Sequence, residues 1–250
     1  MAPAMIETLD AGQVPGVPRP AGRRALRWFF PVVSSLLLAG LLVGVAKTFF
    51  LRSQFNVPPI PPYLYVHGSV LTTWFVLVLA QTCLVAAHRT DLHRRLGIVA
   101  VVVGVLIVPI SAFVVVHAAQ RTQGAITPLL RLEVVGDLLS LVWFAGFVAA
   151  GVYFRRRPDV HKRLMIASCF TIYGPVFARF NEVYGLPAPP PVVVPLALVT
   201  LGAYDLIVAR RLHRATVWIA FLLLGVLLPL LGVLIASGAA DTLIDALQPT

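Results

Sequence analysis

The sequence predicts an all-α fold, a polytopic membrane bundle of seven transmembrane helices. Composition, apolar run length and the alternation of charged loops predict it. Of the 250 residues, 59% are hydrophobic and 12% charged, and the mean hydropathy is +0.90. Soluble domains carry roughly 25% charged residues, and a soluble chain of this size could not bury so much apolar surface. The composition excludes a soluble enzyme, a nucleic-acid-binding domain and a disordered chain, and it leaves an integral membrane protein.

Seven apolar runs each approach the ~20 residues that a helix needs to cross a bilayer. They occupy residues 28–51, 64–87, 96–119, 131–154, 164–180, 191–209 and 215–237. Pro109, Pro175 and Pro229 fall inside the third, fifth and seventh runs, where a membrane helix tolerates proline with a kink. The predicted domains are a flexible cytoplasmic tail (1–22), a seven-helix transmembrane domain (23–240) and a short extracytoplasmic tail (241–250).

The distribution of Lys and Arg predicts the orientation. Fifteen of these twenty residues lie in the N-terminal tail and in the loops between runs two and three, four and five, and six and seven. The remaining five lie on the other side. Since cytoplasmic loops collect cations, the N-terminus is predicted to be cytoplasmic and the C-terminus outside. The protein is expected to be a multi-pass protein of the bacterial inner membrane. The net charge of +10 is topological, so no nucleic-acid partner is expected.

A repeated motif indicates one helix followed by three related hairpins. The pattern Asp-x-His-[Arg/Lys]-Arg-Leu begins the third run at Asp91 and the fifth at Asp159, and a weaker copy at 211–214 begins the seventh. Both aspartates are expected to be helix N-caps, with the cationic side chains reaching lipid headgroups. The alternative is a cytoplasmic metal or substrate site built from His88, His93, His161 and His213.

Two series of residues recur at seven-residue spacing, which keeps each series on one helix face with a small drift. The second run carries the polar and aromatic series His67, Trp74, Gln81 and His88. The third run carries the small-residue series Gly97, Gly104, Ser111 and Ala118. Small residues let another helix approach closely, so the second series predicts a packing surface.

The outer half of the predicted bundle collects ionisable residues, which are costly at membrane depth. They are His67, His117, Glu133, Asp137, Arg179 and Glu182. Asp137 is expected to pair with Arg179, because pairing offsets the desolvation of each charge. The cluster is either a structural ion pair with two hydrogen-bonded histidines or a ligand site that opens to the outside.

Three kinds of ligand chemistry are compatible with this cluster. In the first, b-type haem is bound, and His67 and His117 are the axial ligands because they lie at matched depth. In the second, a quinone or another small hydrophobic ligand is lined by Trp74, Tyr173, Arg179 and Asp137.

The third is transport of a small solute or proton by Asp137 and His67. A structural or assembly subunit of a membrane complex is a separate class. Retinal is not expected, because the seventh run has no lysine for a Schiff base.

Several sequence motifs together resemble those of a family of uncharacterised bacterial multi-span membrane proteins, a domain of unknown function. They are Tyr65-Val66-His67-Gly68 with Trp74 and Gln81, then Leu92-His93-Arg94-Arg95-Leu96-Gly97, and Arg157-Pro158-Asp159-Val160-His161-Lys162-Arg163-Leu164-Met165 with Pro175 and Arg179. The resemblance covers runs two to seven. It implies a fold and no activity. The expected partners are the lipid bilayer and either further copies of this chain or another membrane subunit.

The predicted topology is tested with reporter tags. A tag at residue 5 and a tag at the C-terminus should report opposite sides of the membrane, because seven crossings separate them and the cations sort fifteen to five. Protease protection in sealed vesicles measures this. Both tags on one side would remove the seven-span prediction.

Overall fold

Helices form all of the regular structure in the computed structural model, which describes residues 27–121, 127–186 and 192–247. The helices are α1 (Phe29–Gly44), α2 (Pro62–Ala86), α3 (Thr90–Arg121), α4 (Pro128–Tyr153), α5 (Pro158–Thr171), α6 (Gly174–Tyr184), α7 (Val193–Ala209), α8 (Arg214–Ala220), α9 (Leu228–Ala236) and α10 (Ala239–Leu247). The structure also contains two π-helical segments, Ala46–Phe50 and Phe221–Leu227, and a 3₁₀ turn, Arg52–Phe55. The all-α prediction is confirmed for the described residues, and the predicted tail 1–22 lies outside them.

Among the described residues, four helices are long and apolar enough to cross a membrane. They are α2, α3, the Leu130–Tyr153 part of α4, and the continuous stretch Arg214–Ala236. Helices α1 and α7 are apolar but shorter. The predicted fifth span is divided, since α5 ends at Thr171 and α6 begins at Gly174. Pro175 lies in the first turn of α6, where its missing N–H costs no hydrogen bond.

Proline also marks where other helices begin. Pro62, Pro128 and Pro158 occupy the first turns of α2, α4 and α5, where the fixed φ suits a helix and no N–H is needed. Thr127 caps α4, since its side chain accepts a hydrogen bond from the backbone N–H of Leu130 at 3.1 Å.

The two seven-residue series meet at the interface between α2 and α3. Ser111 Oγ and His67 Nδ1 are 3.3 Å apart and share a hydrogen bond. A Cβ placed on Gly104 would lie 3.0 Å from the Trp74 ring, and one on Gly97 would lie 3.4 Å from Gln81 Nε2. The packing surface predicted on α3 is therefore confirmed at Gly97, Gly104 and Ser111, which meet Gln81, Trp74 and His67 of α2. Ala118 is exposed and lines the cavity described below.

A buried ion pair joins α5 to α7 at the end of the bundle that carries the Arg-rich loops. Asp205 is wholly buried and Arg163 is 4% exposed. Arg163 donates to Asp205 Oδ1 through Nε, at 3.0 Å, and through Nη2. Asp205 Oδ2 accepts from the His213 backbone N–H at 2.7 Å and from Thr216 Oγ1 at 2.6 Å. The carboxylate thus connects α5, α7 and the start of α8, and both its oxygens are satisfied.

The same network reaches α1. Lys162 Nζ donates to the hydroxyl of Tyr204 at 2.9 Å and to Asp159 Oδ1 at 2.6 Å. The Tyr204 ring packs on Phe29 and Phe30, with centroids 5.1 and 4.5 Å away. The hydrogen bond from Lys162 holds the pKa of Asp159 below its usual value. One polar and aromatic junction therefore joins the start of α1, the start of α5 and the C-terminal end of α7.

The expected N-caps differ from those in the structure. Asp91 and Asp159 lie inside the first turns of α3 and α5, where their charge suits the helix dipole, but Asp159 is preceded by Pro158 and the N-cap is Arg157. In the weaker third copy, His213 is the cap of α8, and its Nδ1 accepts from the Ala215 N–H at 3.1 Å. Asp205, on the preceding helix, binds the first turn of α8 instead of an aspartate in the motif.

At the opposite end, the chain after the seventh run folds back. The amphipathic helix α10 covers most of the predicted tail 241–250. Ile244 is wholly buried and packs with Leu130, Val134 and Val115. Arg131 Nε donates to Asp241 Oδ1 at 2.5 Å. This helix closes the side of α3 and α4, a feature that the sequence analysis did not identify.

The Asp205 network predicts a strong destabilisation by single substitution. Asp205→Ala leaves Arg163 buried and unpaired, so the free energy of unfolding should fall by about 3–5 kcal/mol. Arg163→Ala combined with Asp205→Ala should lose less than the sum of the two single losses. Thermal unfolding of the detergent-solubilised protein measures both.

The matched control is Asp91→Ala, which removes an exposed ion pair with Arg89 of 3.4 Å. It should leave the melting temperature nearly unchanged, because water screens an exposed ion pair. Equal losses for Asp205→Ala and Asp91→Ala would contradict the assignment of Asp205 as the central acceptor.

Candidate functional site

A cavity of about 640 Å³ lies inside the bundle, towards the end opposite the Arg-rich loops. Every helix from α1 to α7, the segment Phe221–Leu227 and α9 contribute to its walls. The half-exposed pair Arg179 and Glu182 lies at the rim, while Phe75, Phe170 and Ala197 line the buried part. Its volume falls in the range of small-molecule sites, roughly 300–1,000 Å³.

Three helix irregularities converge on this cavity. The π segment Ala46–Phe50 contributes Thr48 and Phe49, and the π segment Phe221–Leu227 contributes Leu223 and Leu227. The break between α5 and α6 contributes Ile172, Gly174 and neighbouring residues. Short π segments inside α-helices occur frequently at functional sites, because their wider turns alter the face that a helix presents.

The lining is mainly apolar with a limited set of polar groups. The polar and charged lining residues are Thr48, Arg52, His67, Thr72, Ser111, Glu133, Asp137, Ser140, Thr171, Arg179 and Glu182. Such a composition, apolar walls with a few oriented polar groups, is typical of sites for small organic ligands. Of the predicted site residues, His67, Asp137 and Arg179 line one cavity, together with Glu133 and Glu182 from the predicted cluster.

His117 does not join His67 in the cavity. His67 hydrogen-bonds to Ser111 and lines the cavity. The ring of His117 lies 3.9 Å from that of Phe113 and 5.6 Å from that of Tyr63, and its Nδ1 lies 3.2 Å from the Phe113 carbonyl oxygen. Among the described residues, the two imidazoles share no hydrogen bond or ring contact. Their pairing as haem ligands stays a prediction.

Trp74 and Tyr173 belong to the packed core and not to the predicted ligand lining. Trp74 is wholly buried, and its ring meets that of Phe144 edge-on at 5.1 Å. Tyr173 is also buried, and its hydroxyl donates to the Leu37 carbonyl at 2.7 Å. Gly40 makes room for that hydroxyl, because a Cβ at this position would clash with it.

The expected ion pair between Asp137 and Arg179 is not formed. Arg179 Nη1 donates instead to Glu182 Oε2 at 2.7 Å, one helical turn along α6. Among the described residues, the Asp137 carboxylate has no hydrogen-bond donor and no cation within ion-pair distance, while its backbone carbonyl accepts from the Ser140 hydroxyl at 2.7 Å. Asp137 is thus an unpaired carboxyl group that faces the cavity from within α4.

The four histidines at the Arg-rich end do not converge on one point. His88 Nε2 lies 3.2 Å from Arg27 Nη1, and His213 caps α8. The rings of His93 and His161 are 6.2 Å apart, and His161 Nδ1 bonds to the Gly151 carbonyl at 2.8 Å. Within the described ranges, no group of three or more His, Cys, Asp or Glu side chains is arranged to hold a metal ion.

Comparison with models of protein families, with curated proteins and with solved structures gives no match. The resemblance to the uncharacterised multi-span family therefore stays a prediction.

The unpaired state of Asp137 predicts that its removal stabilises the fold. Asp137→Leu replaces an unsatisfied polar group in apolar surroundings, so the free energy of unfolding should rise by about 1 kcal/mol or more. The expected rise in melting temperature is roughly 2–4 °C for a chain of this size. Asp205→Leu, at a satisfied carboxylate, should have the opposite sign. A melting temperature that falls in both variants would show that Asp137 has a stabilising partner.

Proposed function

We propose that this protein is a seven-span integral membrane protein, with its N-terminus in the cytoplasm, that binds a small, largely apolar molecule in the cavity. The observation that carries the proposal is an apolar chamber of about 640 Å³ that holds an imidazole and unpaired carboxyl groups. Polar groups at membrane depth are costly, and a binding role explains why the chain keeps them there.

The contacts between loops support seven spans. Arg27 meets His88, Lys162 meets Tyr204, and Arg163 meets Asp205, so the Arg-rich segments share one end of the bundle. The π segment Ala46–Phe50 extends α1 almost without interruption, and α6 extends α5 after a short break. Each of these combined segments is long enough to cross a bilayer of ~30 Å.

A quinone is one ligand that fits this chamber. Quinones are apolar molecules with two carbonyl acceptors, and the hydrogen-bonded pair His67 and Ser111 supplies donors in the wall. The apolar side chains around it supply the contact area that an apolar ring or tail needs. Haem is not part of the proposal, since His67 lines the chamber and His117 does not.

Two glycines of α4 provide a matched test. Added side chains at Gly136 and Gly146 would both meet open space, but only Gly136 lines the cavity. Gly136→Leu should fill the chamber, whereas Gly146→Leu should add an exposed apolar side chain on the outer face. Both changes favour the helix by about 1 kcal/mol relative to glycine, so neither should unfold the protein.

The measurement is calorimetric titration of decylubiquinone into the protein in lipid nanodiscs. Saturable binding is expected for the wild-type protein and for Gly146→Leu, and at least about tenfold weaker binding for Gly136→Leu. Equal affinity in all three proteins would place any binding outside the cavity and contradict the proposal.

Transport is a second candidate, and the break between α5 and α6 favours it. Broken helices whose ends line a central site are characteristic of secondary transporters. The ends of α5 and α6 line this cavity through Thr171 and Gly174. Uptake of the bound molecule into sealed proteoliposomes separates a transporter from a protein that only binds.

A further inference from the structure

The charged groups that line the cavity do not balance. Glu133, Asp137 and Glu182 supply three carboxyl groups, and Arg179 is the guanidinium that lies among them. Arg179 is already bonded to Glu182 at 2.7 Å. Glu133 has Arg179 and Glu182 as its charged neighbours, so the pair offsets only part of its charge. Asp137 has Glu133 as its charged neighbour, which repels it.

The second cation in the lining, Arg52, is held elsewhere. Its guanidinium donates to the backbone carbonyls of Thr48 and Pro58, on either side of the 3₁₀ turn Arg52–Phe55. No carboxylate of the described residues lies within ion-pair distance of it. Arg52 therefore fixes the turn at the cavity edge. Asp137 is left without a counter-ion, and Glu133 has only Arg179, which Glu182 already engages.

Glu133 and Asp137 are separated by one helical turn on α4, so their side chains lie on the same face. Asp137 is the deeper of the two, about 14 Å along the helix axis from its first residue. Two like charges side by side in apolar surroundings raise the free energy of the empty site. A bound cation between them would lower it.

The walls around this acidic face suit the remainder of such a ligand. Phe49, Phe75 and Phe170 line the same chamber. Aromatic faces attract organic cations, and they also bury apolar groups that the cation carries. The volume of about 640 Å³ admits a molecule with several rings or a branched body.

We propose that the cavity selects lipophilic organic cations, namely protonated hydrophobic amines or quaternary onium compounds. The positive centre lies between Glu133 and Asp137, and the apolar body lies against the aromatic wall. This inference rests on the proposed function, because it names the ligand class of the same cavity. The cavity should therefore bind such a cation more tightly than a neutral quinone, and a neutral quinone more tightly than an anion.

Tetraphenylphosphonium and tetraphenylborate provide the test, because they match in size and shape and differ in the sign of their charge. Both are titrated calorimetrically into the full-length protein in nanodiscs of zwitterionic lipid, with empty nanodiscs subtracted. Tetraphenylphosphonium should bind at least about tenfold more tightly than tetraphenylborate. Glu133→Gln and Asp137→Asn should each weaken the cation about tenfold and leave the anion unchanged or tighter.

The control is Asp245→Asn, which removes an exposed carboxylate of α10 outside the cavity and should leave both affinities unchanged. If the wild-type protein binds the two ions with equal affinity and Gly136→Leu binds neither, the cation preference is overturned and the proposed function is kept. If Gly136→Leu binds both ions as tightly as the wild-type protein does, the proposed function itself is overturned. Melting curves of Glu133→Gln and Asp137→Asn identify any loss that comes from unfolding.

Discussion

The carboxylate of Asp205 is the constraint on which the Arg-rich end of the bundle depends. It is wholly buried, and it accepts from Arg163, from the His213 backbone and from Thr216. A buried carboxylate without these donors would be costly, so α5, α7 and α8 are held at the distances that its two oxygens require. Through Lys162 and Tyr204 the same junction includes the start of α1. Helices that would otherwise associate by apolar contact alone have a defined arrangement here.

The carboxylates at the two ends of the bundle differ in whether they have hydrogen-bond partners. At the Arg-rich end, every oxygen of Asp205 has a donor. At the other end, Asp137 faces a chamber, and Arg179 is engaged by Glu182. Satisfied polar networks stabilise a packed structure, whereas an unsatisfied polar group in apolar surroundings is costly. One end of the bundle therefore has a fully satisfied buried carboxylate, and the other has a chamber with an unpaired one.

The sequence predicted the helical class, the positions of most helices and the packing surface on α3, because length, composition and seven-residue spacing determine them. It also placed His67, Asp137 and Arg179 in one half of the bundle. It could not predict which side chains meet, because depth fixes only the position along a helix axis. His117 follows Ser111 by six residues, a rotation of about 240°, so the two side chains leave α3 in different directions and only Ser111 meets His67. The ion pair between Arg163 and Asp205 could not be predicted for the same reason. The cationic motif that contains Arg163 indicated contacts with lipid headgroups and not with a buried carboxylate.

Because of the π-helical segments Ala46–Phe50 and Phe221–Leu227, the structure depends on the exact number of residues in two of the helical segments. A π turn accommodates one residue more than an α turn, and that residue turns all later side chains by about 100° around the axis. In the second segment, the extra residue sets which face of α9 meets α4. Deleting one residue would restore a regular helix and rotate an entire wall of the chamber. The shape of the chamber is thus encoded in the number of residues in two helices as well as in their identity.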